Sequence, residues 1–230
     1  RLNVIVGDPI AQVRSPGGVT QAFLDRGHDA ILAPVQVASA DLSDFIKLAT
    51  RLKNLDGIIV TVPHKFACHA HCASATDRAD FISAVNIMRR RPDGEWHGEM
   101  VDGLGFVGAA VAQGVNPRSK RALLIGAGGA GSAIALALID AGVAELAIHD
   151  ADATRRDALI ERLNRRGKGR ATVGSTDPIG FDMICNATPA GMREGDALPV
   201  DVSKLPPSRY CGCGITKPAI SPFIAAARAK

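Results

Sequence analysis

The stretch Ala122-Leu123-Leu124-Ile125-Gly126-Ala127-Gly128-Gly129-Ala130-Gly131 decides the architecture of the second half of the chain. Residues 122–125 are an uninterrupted apolar run of strand length, and residues 126–131 match the pattern G-x-G-x-x-G. A helical pattern of small residues follows to about Asp140, and residues 146–149 form a second apolar strand that ends at Asp150. Strand, glycine turn, helix and strand in this order make the βαβ unit that holds a dinucleotide. Each glycine has a task there. Gly126 permits the tight turn, Gly128 lets backbone N–H groups approach a pyrophosphate, and Gly131 lets helix and sheet pack closely. Gly129 and Ala130 open the helix, whose N-terminal partial positive charge suits the phosphates.

Asp150 stands roughly twenty residues beyond the loop, where a carboxylate accepts hydrogen bonds from the adenosine ribose hydroxyls. Its charge also repels a 2′-phosphate, so NAD is favoured over NADP. Arg155 and Arg156 are the counter-signal, because a guanidinium in the next helix can receive that phosphate.

Working back toward the N-terminus, the α/β alternation continues. Residues 2–6 read as a strand, and Ser15-Pro16 as an N-cap with proline at the first helical position, opening a helix that Gly27 stops. Residues 30–35 form a strand, and Ser39 caps a helix with apolar Leu42, Phe45, Ile46, Ala49 and Leu52. Residues 57–62 read as a buried parallel strand ended by Pro63, and residues 84–88 as a strand with Asn86 at its middle. Residues 89–98 look like turn, and a helix starts after Asp102-Gly103. The expected division is a domain over residues 1–101 and a second over residues 102–230. Thr61 and Lys65 stand at the end of a buried strand, where open α/β sheets place ligands. With Asn86 and Asp102 they are polar groups delivered from separate element ends toward one crevice.

Composition narrows the classes. The 230 residues are 47% hydrophobic and 22% charged, which excludes a disordered chain. Aromatics at 4% argue against a base-stacking platform, and a net charge of +4 is too mild for a DNA-binding stripe, so no nucleic-acid partner is expected. No apolar run reaches the roughly 20 residues of a membrane helix. The chain starts at Arg1 rather than Met, which suggests a trimmed start, and nothing there reads as a secretory signal. Five cysteines without framework spacing read as reduced thiols in a cytoplasmic protein.

The ordered motifs resemble the shikimate/quinate dehydrogenase family. They are Gly7-Asp8-Pro9-Ile10-Ala11, Ser15-Pro16, Val60-Thr61-Val62-Pro63-His64-Lys65, Ala84-Val85-Asn86, Asp102-Gly103-Leu104-Gly105-Phe106, the glycine loop, Asn186-Ala187-Thr188-Pro189-Ala190-Gly191-Met192 and Lys217-Pro218. The resemblance implies an α/β enzyme of two domains, a substrate domain followed by a Rossmann-type domain, with the active site in a cleft between them. It implies Lys65 and Asp102 as the catalytic pair, Ser15 at the substrate carboxylate, and Thr61 and Asn86 at ring hydroxyls. It also implies that Asn186 and Thr188 belong to a segment that approaches the nicotinamide. The expected reaction is the reversible oxidation of a ring hydroxyl of shikimate, quinate or a related cyclic hydroxy acid, by a monomer or homodimer.

The chain departs from the family pattern at several polar positions. Val13, Ile59, Met100-Val101 and Thr216 stand where a Ser, an Asn, an Asn-Thr pair and a Tyr are usual, and Arg14 is a candidate replacement at the carboxylate. The sequence also stops at Lys230, before the terminal helix that carries a substrate-binding Gln in the family. These losses motivate an alternative from another class, a ligand sensor that binds dinucleotide and acid without turnover. The presence of both Lys65 and Asp102 argues for the enzyme. A metal site at His64, Cys68, His69, His71 and Cys72 lacks a standard zinc spacing, and none is expected.

Overall fold

A computed structural model describes residues 1–230, which form two compact units, Arg1–Val101 and Asp102–Lys230. The first unit contains β1 (Leu2–Gly7), α1 (Ser15–Asp25), β2 (Ile31–Gln36), α2 (Leu42–Arg51), β3 (Leu55–Val60), α3 (Lys65–His69), β4 (Ser74–Ala75), α4 (Asp77–Ile82), β5 (Ile87–Arg90) and β6 (Trp96–Glu99). Its sheet runs in the order β2-β1-β3-β5-β6-β4. β2, β1 and β3 are parallel, whereas β5 pairs antiparallel with both β3 and β6. Val4, Val6, Leu32, Ile58, Val60 and Met88 supply its buried core, with Leu42, Ile46 and Ala49 of α2 packed inward.

Four local expectations are corrected here. Ser15 is not the cap of α1 but its first residue, because Arg14 takes the cap position without a side-chain bond. Ser39 starts a single 3-10 turn ahead of α2 and makes no cap bond. Residues 89–98 are not plain turn: β5 and β6 form a hairpin there, and their side chains pack. The half-buried Arg90 donates to the carbonyls of Ala49, Thr50 and Leu55 at 2.7–2.9 Å, and stacks on Trp96 at 4.8 Å. Charge thus hid a clamp on the carbonyls at the end of α2, where the Ala49 oxygen otherwise has only the Leu52 N–H of the cap. Asn86, finally, lies just before β5 rather than at mid-strand, since Val85 donates its N–H to the Lys65 carbonyl instead of to a strand.

The second unit contains α5 (Asp102–Ala112), β7 (Arg121–Ile125), α6 (Gly129–Asp140), β8 (Glu145–His149), α7 (Ala153–Arg165), β9 (Ala171–Val173), β10 (Met183–Asn186), β11 (Tyr210–Cys213) and α8 (Pro222–Arg228). All pairings are parallel, in the order β11-β10-β7-β8-β9. Numbered within the unit this is 5-4-1-2-3, a doubly wound sheet whose strand order reverses between β7 and β10. Leu123, Ile125, Ala147, Ile184 and Phe223 form a core cluster under it. No helix is long and apolar enough to cross a membrane.

Candidate active site

In the second unit the polar groups gather at the carboxyl ends of β7 and β10, the place where such a sheet leaves a crevice for ligand. Gly126 turns with φ +106° and donates its N–H to the His149 carbonyl at 2.7 Å, and Ala187 donates to the Ile125 carbonyl at 2.8 Å. A Cβ on Gly131 would overlap the Gly126 carbonyl, so only glycine lets α6 start this close to the turn. A Cβ on Gly128 would meet nothing within 4 Å, so the space above it is open. The first turn of the 12-residue α6, at Gly129, Ala130 and Gly131, leaves N–H groups without intrahelical acceptors facing this end. That is a cradle of the right chemistry for a pyrophosphate, and no side chain fills it.

Asp150 follows β8 and reaches back under the loop. Its Oδ2 accepts the Ala127 N–H at 2.5 Å, and its Oδ1 accepts from Asp152 N–H at 2.8 Å and Arg155 Nη2 at 2.7 Å. Burial pushes the pKa of this carboxyl up, but the Ala127 N–H, the Arg155 guanidinium and the Asp152 N–H outweigh it and hold the group below its ordinary value. A carboxylate has about four acceptor positions, so one on Oδ2 is left for a ribose hydroxyl. Arg155, expected as a possible phosphate ligand, is therefore already paired. Arg156 turns to Asp157 at 2.8 Å.

The Asn186 side chain is taken up by its own loop. The residue has 0% exposure. Its Oδ1 accepts from the Thr188 N–H at 3.0 Å and the Thr188 hydroxyl at 2.7 Å. Its Nδ2 donates to the Ala190 carbonyl at 3.3 Å and faces Cys213 Sγ at 3.4 Å. All four positions of the amide are occupied, and its work is to shape the loop that follows β10. Asp102 is half-buried as the first residue of α5, and Gly103 beside it lies where a Cβ would overlap the Ala133 carbonyl of α6.

In the first unit, backbone bonds bring the other expected groups to one end of the sheet. Thr61 donates its N–H to the Val6 carbonyl at 2.9 Å, Val60 to the Asn86 carbonyl at 2.8 Å, and Val85 to the Lys65 carbonyl at 3.0 Å. Thr61, Lys65 and Asn86 are thereby tied to the ends of β1 and β3 and the start of β5. The Asn86 amide oxygen, in a residue only 7% exposed, accepts the Val101 N–H at 3.0 Å. Thr61, Lys65 and Ser15 are half-buried. Gly7, which enters the sequence reading only as the start of the Gly7–Ala11 motif, contributes by its missing side chain: a Cβ there would overlap the Thr61 methyl, so glycine lets Thr61 sit against β1. The signal for it is a glycine at the close of an apolar run.

The thiol and imidazole groups near α3 go separate ways. His64 bonds the Val37 carbonyl at 2.7 Å, His69 pairs with Asp80 at 2.8 Å, and His71 meets Ser43 at 3.3 Å. Burial pushes the thiols of Cys68 and Cys72 up to about 12 and about 11, which keeps them protonated. No group of three His, Cys, Asp or Glu side chains is arranged to hold a metal.

Residues 5–88 match the family model described as the shikimate dehydrogenase substrate binding domain. The chain is 34% identical over 208 residues to a shikimate dehydrogenase (NADP(+)) of Rubrobacter xylanophilus, covering 88% of this chain and 72% of that protein. The chain belongs to the shikimate dehydrogenase family. As a family member it is an oxidoreductase. Among solved structures, a quinate dehydrogenase from Corynebacterium glutamicum in complex with NAD superposes with a TM-score of 0.86 and 26% identity, covering 99% of this chain and 84% of that one. A ligand-free 5-ketofructose reductase of a Gluconobacter species superposes with a TM-score of 0.82 and 29% identity, covering 99% and 83%. The proteins to which this chain is similar thus differ in both named substrate and named cofactor.

Proposed function

We propose that the protein catalyses the reversible oxidation of a ring hydroxyl of shikimate, quinate or a related cyclic hydroxy acid, with NAD favoured over NADP. Kinship with the Rubrobacter shikimate dehydrogenase supports the reaction, although that relative is named for NADP(+); the open glycine cradle supports the dinucleotide, and the Asp150 carboxylate beside it is what supports NAD. When bound, the nicotinamide supplies the hydride acceptor. Lys65 and Asp102 act on the hydroxyl as a proton-transfer pair, taking its proton during oxidation and returning it in reverse. Thr61, Asn86 and Ser15 orient the ring, while Gly126, Gly128, Gly129, Ala130 and Gly131 carry the phosphates and Thr188 borders the nicotinamide end. The domain roles follow: residues 1–101 bind the acid and residues 102–230 the dinucleotide. Five free thiols suit a reducing compartment, and we place the reaction in the cytoplasm.

A second reading has its own observation. The 29% identity to a 5-ketofructose reductase favours an uncharged keto sugar in place of the acid. Rates with shikimate, quinate and 5-ketofructose, each with the oxidised or reduced form of NAD and NADP as its direction requires, separate the two. Turnover of an acid with NAD is the expected result. Turnover of the sugar alone moves the substrate class, and binding of an acid with no change in the nicotinamide absorbance replaces the enzyme by a sensor. Lys65→Ala should lower turnover by roughly 10²–10⁴-fold while leaving NAD affinity within about twofold. Unchanged turnover would remove Lys65 from the mechanism.

A further inference from the structure

Three successive carbonyls of the glycine turn face the start of α6. The Gly126 oxygen lies against Gly131, in the place a Cβ would need. The Ala127 oxygen accepts the Ser132 hydroxyl at 3.2 Å, and the Gly128 oxygen accepts the Ser132 N–H at 2.8 Å. Ser132 thus takes two neighbouring carbonyls, one with its side chain and one with its backbone, from a buried position. These peptides are trans, so each N–H points away from the carbonyl of its own peptide. The Gly126–Ala127 peptide shows the consequence: its oxygen faces α6, and its N–H reaches the other way to Asp150 Oδ2 at 2.5 Å. In the next peptide the oxygen is held by Ser132, so the Gly128 N–H points away from that hydroxyl, and no group of the protein accepts it.

We propose that Ser132 is a positioning residue for the dinucleotide pyrophosphate: its hydroxyl holds the Ala127–Gly128 peptide in the orientation that offers the Gly128 N–H to a phosphate oxygen. The inference rests on the reading that the cradle takes a nicotinamide dinucleotide, and adds what sets the cradle's shape. The orientation needs an anchor because glycine removes the steric one. Gly128 rests at φ −69°, and rotating the peptide by half a turn would carry φ to positive values, which glycine adopts about as readily as negative ones. The rotated form would turn the Ala127 carbonyl toward the ligand, where its partial negative charge repels phosphate. Without the Ser132 hydroxyl, the observed form leaves that carbonyl short of a donor in a residue with no exposed surface, a cost that rotation relieves.

Amide-resolved NMR titration of the ligand-free protein and of Ser132→Ala, with ADP and with adenosine as probes, tests this without any assay of activity. Alanine favours a helix interior and removes only the hydroxyl, and the spectrum itself reports whether the variant is folded. In the wild-type protein ADP should move the Gly128 amide proton downfield, as an N–H bonded to an anion does, and adenosine should not. Ser132→Ala should bind ADP about tenfold more weakly and lose most of that Gly128 shift at saturation, while its adenosine affinity stays within about twofold. ADP affinity within twofold of wild type, with the Gly128 shift retained, would overturn the proposal. An equal loss for ADP and adenosine would overturn it as well, since Ser132 would then support the unit as a whole and not the phosphate contact. Failure of the wild-type protein to respond to ADP, NAD or NADP would instead overturn the dinucleotide reading beneath it, before any substitution is made.

Discussion

At the end of β7 the chain offers backbone alone, whereas at the end of β3 it offers side chains. The turn at residues 126–131 works because side chains are missing: Gly131 admits the Gly126 carbonyl, Gly128 leaves open space, and the helix start presents N–H groups. The segment at residues 61–65 presents the side chains of Thr61 and Lys65, and backbone bonds from Val60 to Asn86 and from Val85 to Lys65 hold it beside Asn86. A site made of backbone tolerates few changes at a few positions. A site made of side chains spreads its requirements over distant parts of the sequence, and its specificity changes by single replacements.

Replacements that restore a Cβ probe the first kind of site against the second. The largest expected effect is that of Gly131→Ala, where the added carbon collides with backbone that cannot move aside. It should cost about 3 kcal/mol in denaturant unfolding and abolish dinucleotide binding. Gly7→Ala should cost less, about 1–3 kcal/mol, because the Thr61 side chain can yield. Its signature is a raised KM for the ring substrate with dinucleotide affinity preserved. A change in dinucleotide affinity instead would mean that the two strand ends are not separable in this way.

The acid limb of stability gives a smaller effect. The Asp150 carboxyl titrates below its ordinary value in the folded chain, so its stabilisation is present above about pH 4 and is lost as pH falls through the folded value. Unfolding followed between pH 5 and pH 3 should show Asp150→Asn losing less stability than the parent over that window. An identical slope for the two would show that the carboxylate gains nothing from its contacts. The smallest effect on the fold belongs to Gly128→Ala. Its Cβ enters empty space at an ordinary φ of −69°, so stability should stay within about 0.5 kcal/mol. Dinucleotide affinity should nevertheless weaken by roughly tenfold or more, since the methyl takes up room meant for phosphate.

The same contrast explains what the sequence makes legible. The βαβ unit around the glycine loop can be read because its signal is local: an apolar run, spaced glycines and an acid about twenty residues on. Arg155 is visible as a cation near the adenosine end, yet its pairing depends on Asp150 turning inward, which no spacing rule contains. The bonding of the Asn186 amide is not readable from its segment, because it is settled in part by neighbours such as Cys213, far along the chain. The hairpin of β5 and β6 is hidden by its charged residues, since Arg90 is polar in sequence and half-buried in the fold. Long-range partners, not local propensity, account for each of these differences.

The Arg90 clamp carries a practical lesson for anyone exchanging parts between relatives. Two carbonyls at the end of α2, the Leu55 carbonyl and an indole share a single forked cation, and Trp96 in turn donates to the Thr50 hydroxyl at 2.9 Å. A graft that transplants the hairpin without the end of α2 would part the guanidinium from those oxygens. The two segments form one exchangeable module and should be moved together.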